Sequence, residues 1–163
     1  MESAAQMYEA ACKAFEQADI AILSAAVADY TPQHPADHKL KKQHEQDRSL
    51  LSTLALKETD DILAELSRQK GSRVVIGFAA ETTDLLTHAQ EKLMRKGCDL
   101  IVANDVSRQD STFGSDTNRI TILSPEGEEQ LPTMSKAQVA KELIIRAAEL
   151  LKENDSGCQG EVS

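Results

Sequence analysis

The feature that most narrows the possible folds is alternation. Short, nearly continuous apolar runs take turns along the chain with longer stretches whose apolar residues recur at helical spacing. Ile20-Ala21-Ile22-Leu23 reads as a buried strand, and Arg73-Val74-Val75-Ile76-Gly77-Phe78 and Asp99-Leu100-Ile101-Val102-Ala103-Asn104 read as two further strands. Residues 3–17 read as an amphipathic helix, with Ala4, Tyr8, Ala11 and Phe15 on one stripe and Met7 and Cys12 beside it. Thr59 is the expected N-cap of a second helix through Ile62, Leu63 and Leu66 to Gln69, stopped by Lys70-Gly71. Thr82 or Thr83 is expected to cap a third, carrying Leu85, Leu86, Ala89, Leu93 and Met94, which Gly97 ends in a left-handed C-cap. Residues 31–48 read as a loop and 50–56 as a strand. Ile120–Leu123 and Gln130-Leu131 flank Pro125-Glu126-Gly127-Glu128 as a hairpin, and Ser135 opens a last helix through Val139, Leu143, Ile144, Ala147 and Leu150. Such alternation predicts an α/β fold, a parallel sheet with helices and a hairpin at one side.

At 163 residues the chain has room for one compact domain. Residues 1–152 are assigned to it. Residues 153–163 hold three acids, no bases and two glycines, and are expected to be a disordered tail. Net charge is −9, which argues against nucleic-acid and anionic-membrane partners, because neutralising a phosphate backbone needs a cationic face. The apolar runs are far too short to span a bilayer, and Met1-Glu2-Ser3-Ala4 does not open a secretory signal. Three widely spaced cysteines, Cys12, Cys98 and Cys158, suit a reducing cytoplasm rather than a disulfide framework.

In parallel sheets, ligands sit beyond the carboxyl ends of the strands, which directs attention to Ala25–Asp29, Phe78–Thr82 and Asn104–Ser107. The small residues after the first strand let backbone approach a ligand closely, and they equally suit packing under a helix. Lys39-Leu40-Lys41-Lys42 places a basic cluster in an acidic chain, where lysine point charges suit polyphosphate or a solvated face. Lys92 and Lys96 stand one helical turn apart; on spacing alone they read as surface lysines lying along their helix. His34, His38 and His44 share a loop with Asp37, but nothing completes a ligand set, so no protein-bound metal is expected.

Seven segments occur in order: Ala25-Ala26-Val27-Ala28-Asp29-Tyr30, Lys39-Leu40-Lys41-Lys42, Thr59-Asp60-Asp61-Ile62-Leu63, Gly77-Phe78-Ala79-Ala80-Glu81-Thr82, Lys92-Leu93-x-x-Lys96, Ala103-Asn104-Asp105-Val106 and Ser135-Lys136. Together they resemble the phosphopantothenate–cysteine ligase (phosphopantothenoylcysteine synthetase) family, the second half of the bifunctional bacterial coenzyme A enzyme. The resemblance implies a Rossmann-like three-layer fold with a mainly parallel sheet, and a cytoplasmic homodimer. It also implies the CTP-dependent ligation of 4′-phosphopantothenate and L-cysteine through an acyl-cytidylate, with Mg2+ carried by the nucleotide phosphates. Residue by residue, it implies that Ser24 and Ala25 line the nucleotide by backbone, that Ala26 touches the substrate and that Asp29 contacts the nucleotide. Lys39 becomes the catalytic loop lysine that closes over the phosphates. Asp60, Asp61, Ile62 and Leu63 meet the nucleotide near a helix start, Phe78 packs on it, and Lys92 and Lys96 face it. Family members open with a strand, a Gly-rich turn and an Asn-x-Ser-Ser-Gly segment, and this sequence carries neither motif. The chain is therefore expected to be the C-terminal part of a ligase domain, lacking the N-terminal strands. The alternative is a non-catalytic nucleotide-binding or dimerisation fragment without the phosphate loop.

Overall fold

The computed structural model describes residues 3–36, 39–41, 53–81, 84–105 and 117–158. Helix α1 (Ala4–Phe15) leads into strand β1 (Ile20–Leu23), and strands β2 (Tyr30–Pro32) and β3 (Leu56–Glu58) pair as an antiparallel ribbon. Helix α2 (Ile62–Arg68), strand β4 (Val74–Glu81), helix α3 (Leu85–Lys96) and strand β5 (Leu100–Asp105) follow. Beyond β6 (Thr117–Asn118) lie the hairpin strands β7 (Ile120–Ser124) and β8 (Gly127–Gln130), then β9 (Met134–Ser135) and helix α4 (Lys136–Cys158). Five strands form the main sheet in the order β1-β4-β5-β7-β8. β1, β4 and β5 run parallel, and β7 and β8 extend the sheet antiparallel. The expected α/β class and the expected hairpin are both present.

The pleat of the inner strands sorts their side chains into two cores. Val75, Ala79, Ile101, Ala103 and Leu123 face α1, α2 and α3, where Phe15, Ile62, Leu63, Leu66, Ala89 and Leu93 meet them. Val74, Ile76, Leu100, Val102, Ile120 and Ile122 face α4, where Val139, Leu143 and Ala147 cover them. β4 and β5 are thus buried on both faces, which is why they read as continuous apolar runs. The result is helix, sheet and helix in three layers.

Caps place the helices. Ser3 Oγ accepts from Gln6 N–H at 3.2 Å to start α1, and Gly97, at φ 67°, ends α3 in the left-handed conformation expected of it. Before α4, Ser135 and Gln138 form a reciprocal box: Gln138 N–H reaches Ser135 Oγ at 3.2 Å, and Ser135 N–H reaches Gln138 Oε1 at 2.9 Å.

Several expectations need correction. Asp61, not Thr59, caps α2, because Thr59 is committed elsewhere: its hydroxyl donates to the Ala28 carbonyl at 2.6 Å and its N–H to the Asp29 carbonyl at 2.9 Å. Those bonds set the register of the β2–β3 ribbon. Of the strand expected over 50–56, residues 50–52 lie outside the described residues; the described strand is Leu56–Glu58, and its partner, Tyr30–Pro32, runs into the segment expected to be a loop. β4 runs on to Glu81, because β5 pairs with it as far as Asp105. Thr82 and Thr83 lie outside the described residues, and the residue before α3 is Asp84, at φ 49° with no side-chain cap bond. α4 continues to Cys158, into the segment expected to be a tail; Leu150 and Leu151 pack on the core and Asn154 Nδ2 donates to the Ser72 carbonyl at 3.2 Å.

Candidate active site

The three parallel strands end on the same side of the sheet, and most of the segments singled out above converge there. Ser24, Ala25 and Ala26 follow β1 as an exposed loop. Val27 packs on the core and anchors that loop. The two Thr59 bonds then tie Ala28 and Asp29 to the residues just before α2. Asp29 and Asp60 are exposed. Ile62 and Leu63 are buried in the core, so any contact they make with a ligand comes from backbone.

Phe78 lies one residue beyond the last β1–β4 pair, Leu23 with Gly77. Its carbonyl accepts from Lys92 Nζ at 2.6 Å, while its ring packs against the α4-side core. One turn further along α3, Lys96 Nζ is bonded to Asp61 Oδ2. Both lysines are half-buried rather than lying along the helix surface. Burial pushes the Asp61 carboxyl up, but the Lys96 hydrogen bond, the Ala64 N–H and the charges of Lys96 and Arg95 outweigh it, so the group is held below its ordinary value. The sign follows: this stabilisation is present above the ordinary aspartate range and is lost as pH falls through the lowered value.

The structure thus brings Asp61, Lys92, Lys96 and the backbone carbonyl of Phe78 together, with the Ser24–Asp29 loop beside them. Lys39 is exposed and outside any helix or strand, and among the described residues no hydrogen bond or ion pair joins it to that group. Asp37, His38, Lys42 and His44 lie outside the described residues. Among the described residues, no three His, Cys, Asp or Glu side chains converge on a point that would hold a metal ion. No described helix is long and apolar enough to cross a membrane.

Asn104, which opens the Asn104–Ser107 stretch singled out above, also belongs to this end of the sheet. It sits opposite Ala80 near the end of β5, and its Oδ1 is buried with no hydrogen-bond partner among the described residues. A buried amide oxygen without a partner is costly unless something else satisfies it. The signal in the sequence is a polar residue closing an otherwise apolar strand.

Comparison with known proteins places this geometry in context. The family model for the DNA/pantothenate metabolism flavoprotein C-terminal domain matches residues 1–151. The chain is 46% identical over 154 residues to the coenzyme A biosynthesis bifunctional protein CoaBC of Bacillus subtilis (strain 168), covering 94% of this chain and 37% of that protein. Its structure is similar to a crystal structure of the C-terminal domain of coenzyme A biosynthesis bifunctional protein CoaBC, with a TM-score of 0.71 and 32% identity, over 94% of this chain and 65% of that one. A Cab2 variant in complex with phosphopantothenate-cysteine shares the fold at a TM-score of 0.61 and 17% identity, over 83% of this chain and 46% of that one. The chain spans little more than a third of the curated relatives it matches. Its sequence along nearly its whole length, and its three-layer fold, make it a member of the DNA/pantothenate metabolism flavoprotein C-terminal domain family, to which the ligase part of CoaBC belongs.

Proposed function

We propose that the chain forms the nucleotide-facing part of a CTP-dependent phosphopantothenate–cysteine ligase in coenzyme A biosynthesis. The single observation that carries this reading is that Lys92 and Lys96, one turn apart on α3, are both held inward, Lys92 by the Phe78 carbonyl just beyond the end of β1 and Lys96 by Asp61 at the start of α2. Two ammonium groups held on one helix face suit the phosphates of a nucleotide.

In the proposed reaction, the carboxylate of 4′-phosphopantothenate attacks the α-phosphate of CTP. Pyrophosphate leaves and an acyl-cytidylate forms. The amine of L-cysteine then attacks the acyl carbon, giving 4′-phosphopantothenoylcysteine and CMP. A carboxylate is a poor acylating agent until its oxygen becomes a good leaving group, and positioning with charge neutralisation supplies much of the remainder. Phe78 packs on the nucleotide, Lys92 and Lys96 face its phosphates, and Lys39 closes over them as the catalytic lysine. The backbone of Ser24 and Ala25 and the residues Asp29 and Asp60–Leu63 border the nucleotide, and Ala26 borders the substrate. Mg2+ enters as the partner of the nucleotide phosphates.

The proposed assembly is a homodimer, working in the cytoplasm. The β2–β3 ribbon supports the dimer: Tyr30, Leu54 and Leu56 are each more than half exposed, and a two-stranded ribbon needs further cover to be stable.

Isothermal titration of the chain with CTP and Mg2+, with ATP as control, tests the reading. Saturable binding that prefers CTP, and that weakens roughly tenfold in Lys92→Ala on losing one charge-assisted contact, is the expected result. A folded chain that binds no nucleotide favours the non-catalytic reading.

A further inference from the structure

We propose that Asp61 is a positioning residue of this site: its carboxylate fixes the Lys96 ammonium where the nucleotide phosphates lie, and Lys96 contributes to binding only while so held. The inference rests on the nucleotide reading above and goes beyond it by giving the Asp61 side chain a role other than ligand contact.

Both oxygens of Asp61 are already engaged within the protein. Oδ1 caps α2, accepting from Ala64 N–H at 3.0 Å. Oδ2 takes Lys96 Nζ from the last turn of α3, across 35 positions of sequence. A carboxylate employed in this way has no proton to offer a phosphate and would repel one, so a direct side-chain contact is the poorer assignment. Its charge serves a different purpose. Lys92 and Lys96 lie i, i+4 on one helix face, where like charges repel. In this structure each is held by an oxygen: Lys92 by the Phe78 carbonyl, Lys96 by Asp61.

The exposure of the pair supports the same direction of control. The Lys96 side chain is 15% exposed and that of Asp61 42%. Lys96 is thus the enclosed partner, gripped near its tip by a group on another element. A lysine ammonium has three donors. One spent on Asp61 leaves two for phosphate oxygens, on a side chain whose rotamer freedom is already lost before the nucleotide arrives.

The test is a double-mutant cycle on the full chain, read by isothermal titration with CTP and Mg2+. The variants are Asp61→Asn, Lys96→Met and the two combined. Asparagine is as good an N-cap as aspartate, so α2 keeps its cap while the charge is removed. Asp61→Ser, a second capping residue, guards against a fault peculiar to the amide, and circular dichroism checks that helix content is unchanged. Asp61→Asn and Asp61→Ser are expected to weaken CTP binding by roughly tenfold, Lys96→Met by about the same factor, and the double variant no further than Lys96→Met alone. A residue that merely capped α2 would leave affinity intact in both capping variants. Wild-type affinity in Asp61→Asn, or losses that multiply in the double variant, overturns the positioning role while leaving the nucleotide site standing. A wild-type chain that binds no nucleotide overturns the nucleotide reading, and this inference with it.

Discussion

Gly77 shows how much one missing side chain determines. A Cβ placed there would stand 2.6 Å from Leu63 Cδ2 and 2.8 Å from Ile101 Cδ1. Both of those side chains are buried, so neither has free space to retreat into. The glycine lets α2 lie close on β4, and that approach brings Asp61 at the start of α2 to Lys96. Gly77→Ala is expected to destabilise the fold by about 1–3 kcal/mol, the usual cost of overpacking a filled core, seen as a lower urea midpoint. An unchanged midpoint would mean that Leu63 moves freely and that the close approach is not what seats α2. Cys98 lies on the same side of the sheet. Burial pushes its thiol up to about 11, so near neutral pH it is an unionised core side chain rather than a nucleophile.

Among the elements, α1 and α2 are joined at their C-terminal ends by one side chain. Arg73 stacks on the Phe15 ring at 4.0 Å and donates to the carbonyls of Phe15, Gln69 and Lys70, at and just beyond the two helix ends. Lys70 and Asp99 form a second clamp nearby, with Asp99 Oδ2 also accepting from Val75 N–H at 2.7 Å as β4 begins. On the opposite face, the last turns of α4 are tied back to the chain by Asn154. Truncation after Lys152 removes the Asn154 bond to Ser72. Loss of that bond and of the helix end around it is expected to cost about 1 kcal/mol, lowering Tm by roughly 2–4 °C in a domain of this size. A melting curve identical to that of the full chain would restore the reading of residues 153–163 as a tail.

At the scale of the whole molecule, one end of the sheet carries the candidate site, while β1 and the β2–β3 ribbon border it. Ile22 on β1 is exposed, as are Tyr30, Leu54 and Leu56 beyond it, so part of the uncovered apolar surface lies in the segments that flank the site; the rest is on α3, at Leu86 and Met94, and on α4, at Ile144 and Ile145. If the proposed homodimer covers the ribbon, light scattering after size exclusion gives twice the chain mass for the native chain. The Leu54→Ser, Leu56→Ser double variant then elutes as a monomer with its secondary structure retained. A double variant that stays dimeric removes the ribbon from the interface.

Local pattern alone was enough for much of this protein. β4 and β5 are apolar throughout because they are buried on both faces, whereas β1, equally apolar, lies at the sheet edge and is only partly covered. α1, α3 and α4 carry their core residues at helical spacing. The hairpin and the Gly97 cap are local chemistry as well, since a turn or a left-handed residue needs no distant partner. The segments that meet at the candidate site were legible too, through their order along the chain. Tertiary contact decided the rest. Asp61 displaced Thr59 as the cap because Thr59 bonds to residues 28 and 29, thirty positions away. Lys92 and Lys96 turned inward because a carbonyl on β4 and a carboxylate on α2 await them, which helix spacing cannot register. Gly77 became a packing requirement only once Leu63 and Ile101 were brought against it. Partners far apart in sequence leave no periodicity behind, so their pairing emerges only when the sheet has assembled.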